Sequence, residues 1–273
     1  MVVVLLQCEN HIVPYFKDPG VTLAGLQARQ IQSFYLHELE TLKAASVIRL
    51  HANLHKALKY AVQLDLIPGN PVDKVERPKQ EKYIAGYYTA EELEKLFEAA
   101  RGHRLELIIQ FATFYGMRRG EILGLRWDAV DLEVKTIAIR HTVTTASLEG
   151  KHVLIQADRA KTKSSLRTLS LVDTFAERLR ALKEQQAYNE KICGGCYNQK
   201  YKGYVFVNEM GDLILPNSVT EGFSKLLAAN GLRKIRFHDL RHPYVKHTTK
   251  NIILKSVELQ YILDREEKSN KKV

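Results

Sequence analysis

The sequence predicts a mostly α-helical protein with a small antiparallel β-sheet, divided into a helical first unit and a second unit of mixed structure. Apolar residues recur at helical spacing through the first third of the chain, and they alternate with polar residues near position 137. A charged segment that contains a proline separates the two regions. The composition of the 273 residues, 45% hydrophobic and 26% charged, is typical of a globular protein rather than of a disordered chain.

Two amphipathic helices are predicted in the first third of the chain. Apolar spacing predicts one helix near Gln27–Leu42. A second series of apolar residues at helical spacing begins at Val47 and predicts another helix, with Ser46 placed to cap its start. The prolines and glycine of Leu66–Pro71 end this helix. Because two such helices cannot bury both apolar faces alone, we expect a small helical domain over residues 1–72.

A linker and a second unit follow. Residues 73–86 are charged and have no apolar period, which is typical of a linker. The second unit, residues 87–273, contains a dense apolar segment, Leu105–Tyr115, which predicts a buried helix that ends at Gly116. Capping boxes predict the starts of three helices in this unit, at Thr89, Thr174 and Ser218.

Three short strands are predicted between these helices. Apolar and polar residues alternate over Ile137–Val143, which predicts one strand. Two more short strands are predicted at Val153–Ala157 and Leu166–Leu171. The polar segment Asp158–Ser165 is predicted to be a hairpin turn between the last two strands. A small antiparallel sheet is therefore expected in the second unit.

The charge balance limits the classes of partner. A net charge of +10 and a pI near 9.4 attract polyanions, nucleic acid first, although a generically basic soluble protein fits equally well. No apolar stretch is long enough to span a bilayer and no signal peptide is evident, so we expect a cytoplasmic protein without a membrane partner. Three cysteines are too few for a disulfide framework.

Basic residues cluster in three places, and the first is the segment Gly116–Trp127. Arg118 lies in the turn after the buried helix, where rigid structure holds it while its side chain stays accessible. Glu121 is three residues further on and is predicted to orient the Arg118 guanidinium. The alternative is an ordinary surface ion pair, which would contribute little.

The second cluster is the predicted hairpin turn, and the third follows residue 231. The turn region contains four basic residues, Arg159, Lys161, Lys163 and Arg167, of which Arg159, Lys163 and Arg167 are candidate phosphate contacts. In the third cluster, His238 and Arg241 share one face of a helix, so that together they suit one phosphate group. Taken singly, each cluster is more typical of a structural role, such as a solvated basic surface, than of a functional one.

Together the three motifs resemble those of the tyrosine recombinases of the phage-integrase type. The motifs are Tyr115–Trp127, Lys161–Arg167 and Phe237–His242, in that order, and the resemblance covers nearly the whole chain. It implies that residues 1–72 form a helical, SAM-like core-binding domain. It also implies that residues 87–273 form the α+β catalytic domain.

The resemblance implies a chemistry in which DNA is broken and rejoined through a 3′-phosphotyrosine, with no metal or other cofactor. Arg118 and Arg241 would bind the scissile phosphate, and His238 would hydrogen-bond to it and assist proton transfer. Lys161 would protonate the departing 5′ oxygen, with Lys163 as the competing candidate. Double-stranded DNA is the expected partner, with further protomers, since family members act as tetramers.

The sequence departs from the family after the third motif. Pro243 falls inside the expected helix, Leu263–Arg265 replaces the family's Leu-Gly-His, and the tyrosines after Arg241 are Tyr244 and Tyr261. Tyr261 lies among apolar residues and is expected to be a core residue, so no nucleophile is identified. We therefore expect a cleavage-defective relative, incomplete at both ends. The alternatives are a competent enzyme that uses Tyr261 and a protein that only binds DNA, as a site-occupying remnant or a dominant-negative partner.

Cys193 and Cys196 have the spacing of half a zinc site. A structural zinc ion needs four ligands, and no second cysteine or histidine pair completes this one. The sequence therefore predicts a flexible loop here and no metal site.

Overall fold

The computed structural model describes residues 2–17, 21–79, 86–148, 151–158 and 167–241. The chain divides into two compact units, residues 1–84 and 85–273. Among the described residues, every helix is too short or too polar to cross a bilayer. The predicted fold class, mostly α with small antiparallel sheets, is confirmed.

The first unit is helical throughout. Its helices are α1 (Val2–Gln7), α2 (Val13–Phe16), α3 (Ala28–Thr41) and α4 (Ala44–Gln63), with a π-helical turn at Cys8–Ile12 and a 3-10 turn at Pro71–Lys74. The apolar stripes of α3 and α4 form its core, in which Phe34 and Leu50 are buried. The predicted cap at Ser46 is wrong, because the amide of Ser46 already bonds to the carbonyl of Lys43 inside the first turn of α4.

The second unit contains the larger core. Its helices are α5 (Ala90–Ala100), α6 (Glu106–Phe114), α7 (Arg119–Leu123), α8 (Asp173–Cys193) and α9 (Pro216–Ala229), followed by a 3-10 turn at Phe237–Arg241. The Thr89 capping box is confirmed, since Thr89 and Glu92 each accept the other's backbone N–H. The caps predicted at Thr174 and Ser218 are wrong. In α9, Pro216 takes the first helical position, and the Ser218 hydroxyl donates to the carbonyl of Leu215 instead.

The strands form two small antiparallel sheets. Strands β1 (Val130–Asp131), β2 (Thr136–Ile139) and β5 (Arg167–Ser170) form one sheet, and β3 (His141–Leu148) and β4 (Lys151–Asp158) form the other. The single strand predicted over 137–143 is therefore divided at the exposed residue Arg140. The predicted hairpin between β4 and β5 is wrong, because β4 pairs with β3 and β5 pairs with β2.

Helix α7 lies unusually close to strand β3. A Cβ atom on Gly120 would come within 2.8 Å of the carbonyl oxygen of Val143, and one on Gly124 within 2.7 Å of that of His141. These glycines are four residues apart and lie on one face of the helix. Their lack of side chains lets the backbones approach, which fixes the start of α7, where Arg118 lies.

Candidate phosphate-binding site

Arg118 is held at the start of α7 by a buried carboxylate. It is the residue that precedes the helix, and Glu121 accepts its backbone N–H at 2.9 Å through Oε2 and its guanidinium at 2.8 Å through Oε1. The Glu121 side chain is fully buried, whereas that of Arg118 is 54% exposed. The pair is therefore no ordinary surface ion pair, because the buried acid orients an arginine that still faces solvent.

Arg241 and His238 lie on the 3-10 turn that packs against α6. The Nε–H of Arg241 donates to the carbonyl oxygen of Gly116 at 2.7 Å, and its Nη1 is 3.5 Å from Nε2 of His238. Gly116 ends the α6 segment with a φ of +61°, the left-handed conformation that favours glycine. The turn is thus bonded to the loop that leads, two residues later, to Arg118.

Three arginines contribute to the electrostatic environment of His238. Partial burial lowers the pKa of His238, and the positive charges of Arg241, Arg236 and Arg118 lower it further, against the opposing effect of Asp239. Arg118 is thus close enough to lower the pKa of His238, although more than a hundred residues separate the two in sequence. A site that disfavours further positive charge in this way is suited to bind an anion.

A second arginine–carboxylate pair, which sequence reasoning missed, supports the 3-10 turn. The buried carboxylate of Asp239 accepts the backbone N–H of Arg236 at 2.9 Å and its Nη2 at 2.7 Å. Arg236 and Asp239 are three residues apart, the spacing of Arg118 and Glu121. That repeated spacing is the signal that could have identified the pair, and it predicts a fixed backbone immediately before His238.

Several residues to which the sequence assigned a role lie outside the residues that the structure describes. Arg159, Lys161 and Lys163 lie there, and so do Pro243, Tyr244 and Tyr261 from the end of the chain. Arg167 is described, and its Nη2 donates to Oε2 of Glu121 at 2.9 Å. Glu121 therefore joins Arg167 to Arg118.

Cys193 and Cys196 lie at the end of α8 and in the 3-10 turn Gly194–Cys196. This ordered turn replaces the predicted loop. Within the described parts of the chain, no group of three or more histidine, cysteine or acidic side chains is placed to hold a metal ion.

Comparisons with known proteins identify the class. The model of the phage integrase family matches residues 87–262, so the chain belongs to the phage integrase family, the tyrosine recombinases. It is 28% identical to a XerC-like tyrosine recombinase of Caldanaerobacter subterraneus subsp. tengcongensis, over 91% of this chain and 68% of that protein. It is 26% identical to the prophage ps2 probable integrase of Lactococcus lactis, over 94% of this chain and 67% of that protein.

Solved structures share the fold. The Tn1549 transposon integrase, in complex with a circular intermediate DNA, aligns with a TM-score of 0.71 at 13% identity, over 94% of this chain and 89% of that one. A lambda integrase tetramer bound to a Holliday junction aligns with a TM-score of 0.58 at 19% identity, over 92% of this chain and 66% of that one. Further relatives include the ICEBs1 integrase of Bacillus subtilis, at 27% identity over 87% of this chain and 62% of that protein.

Proposed function

We propose that this chain is a site-specific DNA recombination protein of a mobile element, which binds duplex DNA and holds the scissile phosphate among Arg118, His238 and Arg241. The observation that carries the proposal is the bond from Arg241 to Gly116. Together with the effect of Arg118 on the pKa of His238, it supports the proposal that Arg118 and the turn that carries His238 and Arg241 serve one site.

The chemistry follows from the residue types. Two guanidinium groups offset the charge that develops on the non-bridging phosphate oxygens, and the imidazole of His238 hydrogen-bonds to the same group. Lys161 is the proposed donor of a proton to the departing 5′ oxygen, with Lys163 as the competing candidate, and Arg159 is a proposed phosphate contact.

The partners are proposed from the relatives. Lambda integrase, which shares this fold, is bound to a core-site DNA as a dimer and to a Holliday junction as a tetramer, which supports DNA and further protomers as partners of this chain. The helical unit would act as the core-binding domain, residues 73–86 as the linker and the unit from residue 87 as the catalytic domain. A net charge of +10 favours such a complex.

We further propose that residues 1–273 bind DNA without forming a covalent adduct. The tyrosines that follow Arg241 are Tyr244 and Tyr261, and neither lies in a segment that matches the family's nucleophile motif. Tyr244 is too close to Arg241 in sequence, and Tyr261 lies among apolar residues. The second candidate function is that of a protein that only occupies DNA sites or joins intact recombinase protomers. The lack of a match to the nucleophile motif at Tyr244 and Tyr261 is consistent with it.

One assay tests whether the protein binds duplex DNA and whether it forms a covalent adduct. The protein is incubated with a nicked suicide duplex that carries its binding site, and the products are run on native and denaturing gels. We expect a shifted band on the native gel and no adduct on the denaturing gel. An adduct that is lost in Tyr261→Phe would identify a competent enzyme instead, and no shift at low salt would exclude duplex DNA as the partner.

A further inference from the structure

The carboxylate of Glu121 is shared by two arginines from different parts of the chain. Its Oε1 accepts the Arg118 guanidinium, while its Oε2 accepts both the backbone N–H of Arg118 and the Nη2 of Arg167. Because the Glu121 side chain is fully buried, its charge needs such partners. The position of Glu121, and with it that of the Arg118 guanidinium, therefore depends on Arg167.

Arg167 faces the protein more than the solvent. Its side chain is 36% exposed, compared with 54% for Arg118. Its Nε atom is buried and has no hydrogen-bond partner among the described residues. A guanidinium that is directed at a buried carboxylate, with its Nε atom inside the protein, is poorly placed to contact a DNA phosphate directly. This argues against the role predicted for Arg167 from sequence.

Arg167 also marks one end of the segment that carries the candidate lysines. The other end is Asp158, whose Oδ1 lies 2.7 Å from Nδ1 of His141 at the base of the β3–β4 sheet. His141 is itself within 2.8 Å of the Tyr204 hydroxyl through Nε2. Asp158 and Arg167, the described residues on either side of positions 159–166, therefore each take part in an ionisable pair within the second unit.

We propose that Arg167 is a positioning residue for the phosphate site. It acts through Glu121 to orient the Arg118 guanidinium. This inference rests on the proposed function, because it assigns Arg167 a part in phosphate binding that is indirect. Arg167 itself does not contact the phosphate.

The test is a double-variant cycle on DNA affinity with Arg118→Gln, Arg167→Gln and the combination of both. The probe is a labelled duplex recovered from a random-sequence pool by binding to the wild-type protein, and affinity is measured over a series of salt concentrations. We expect Arg118→Gln to weaken binding by about tenfold, the scale of one charge-assisted contact. We expect Arg167→Gln alone to weaken it by roughly threefold to tenfold, since it acts only through Arg118.

The decisive comparison is made in the Arg118→Gln background. If Arg167 only positions Arg118, adding Arg167→Gln changes neither the affinity nor the salt dependence. If Arg167 contacts a phosphate itself, the added substitution lowers affinity again and reduces the slope of log affinity against log salt by about one. That second result would overturn the proposal.

A matched control separates positioning from loss of stability. Arg178 donates to the nearly buried carboxylate of Glu106 at 2.7 Å in the same unit, so Arg178→Gln breaks a similar pair that does not involve Arg118. We expect it to lower the melting temperature and leave the affinity and salt slope of the folded protein unchanged. Equal losses of affinity in Arg178→Gln and Arg167→Gln would contradict a positioning role.

A conservative variant keeps the test decisive if Arg167→Gln does not fold. Lysine replaces arginine readily as a point charge on phosphate, but it lacks the terminal Nη2 that donates to Glu121. We expect Arg167→Lys to weaken binding in the wild-type background and to have no effect in Arg118→Gln. Unchanged affinity in both backgrounds would overturn the proposal. A failure of the proposed function can be distinguished from a failure of this inference. In that case the wild-type protein itself would show no salt-dependent DNA binding.

Discussion

Arg241 donates its Nε–H to the carbonyl oxygen of Gly116 at 2.7 Å, across 125 positions of sequence. The bond uses the Nε–H of the guanidinium, while Nη1 lies 3.5 Å from Nε2 of His238. Gly116 lies two residues before Arg118, so a single loop carries one arginine and anchors the other. The geometry of the site thus depends on a backbone carbonyl as well as on the charged side chains.

This relationship predicts that Arg241→Lys weakens DNA binding although the charge is kept. The lysine ammonium is a point charge and lacks the planar fork with which arginine can bond to the Gly116 carbonyl through Nε and to a phosphate at the same time, so affinity should fall by about tenfold. Fluorescence anisotropy with a labelled duplex measures the change. Arg180→Lys is the control, because Arg180 also donates to a carbonyl, that of Leu132 at 2.9 Å. Wild-type affinity in Arg241→Lys would show that the bond to Gly116 does not serve DNA binding.

The close approach of α7 to β3 predicts that Gly120→Ala destabilises the second unit. In an unconstrained helix this change is favourable by about 1 kcal/mol. Here the new Cβ would lie 2.8 Å from the backbone carbonyl oxygen of Val143, so we expect a net loss of ~1–3 kcal/mol. Urea unfolding measures the change. Gly195→Ala is the control, since nothing lies within 4 Å of its added Cβ, and a stabilised Gly120→Ala would contradict the packing.

The Arg236–Asp239 pair predicts a pH-dependent contribution to stability. Burial raises the pKa of Asp239, but hydrogen bonds from the Arg236 side chain and backbone outweigh it and hold the pKa below its usual 3.8. Because the folded-state pKa is lowered, this stabilisation is present above the unfolded pKa and is lost as pH falls through the folded-state pKa. We expect Asp239→Asn to destabilise the protein by about 1–3 kcal/mol at neutral pH.

The pH profile checks the cause of that loss. The difference in unfolding free energy between Asp239→Asn and wild type should shrink as pH falls below the ordinary carboxyl pKa of about 3.9. Asp212→Asn serves as a comparison, because Asp212 is an exposed acid that accepts hydrogen bonds from Asn198 and Asn208. A difference that stays constant across the acidic range would show that the charge of Asp239 is not what stabilises the turn.

Local patterns in the sequence predicted the elements that local interactions determine. Helices α3, α4 and α6 follow from apolar spacing, and the spacing of Arg118 and Glu121 predicted their contact. The division of the strands at Arg140 was not predictable in this way. The alternation of apolar and polar residues continues across Arg140, while the chain passes from one sheet to the other. Such alternation indicates which face of a strand is buried, but it does not indicate which strand is the pairing partner.

The long-range contacts of the site were also beyond sequence reasoning. The motifs predicted that Arg118, His238 and Arg241 belong together, but the bond from Arg241 to Gly116 depends on how the 3-10 turn packs against α6. The pairing of Arg167 with Glu121 depends similarly on the register of β5 against β2. A basic residue near a predicted turn is compatible with either a phosphate or a buried acid, and only the fold decides between them.

The lowered pKa of His238 predicts that DNA binding strengthens as pH falls. Partial burial and the nearby arginines lower this pKa in the free protein below its usual 6.5. A bound phosphate brings negative charge beside the imidazole and raises the pKa. The complex therefore takes up a proton, and affinity should rise as pH falls from the bound-state pKa to the free-state pKa, then level off.

The same group has the opposite effect on the stability of the free protein. Since His238 is harder to protonate when folded, its contribution to stability decreases as pH falls below 6.5. Affinity measured over a pH series at constant ionic strength, with calorimetry in buffers of different ionisation enthalpy, follows the proton uptake. His238→Gln should remove this uptake, whereas His103→Gln should retain it, because His103 also has a lowered pKa but bonds to the Leu105 amide. Full proton uptake in His238→Gln would mean that a different group titrates when DNA binds.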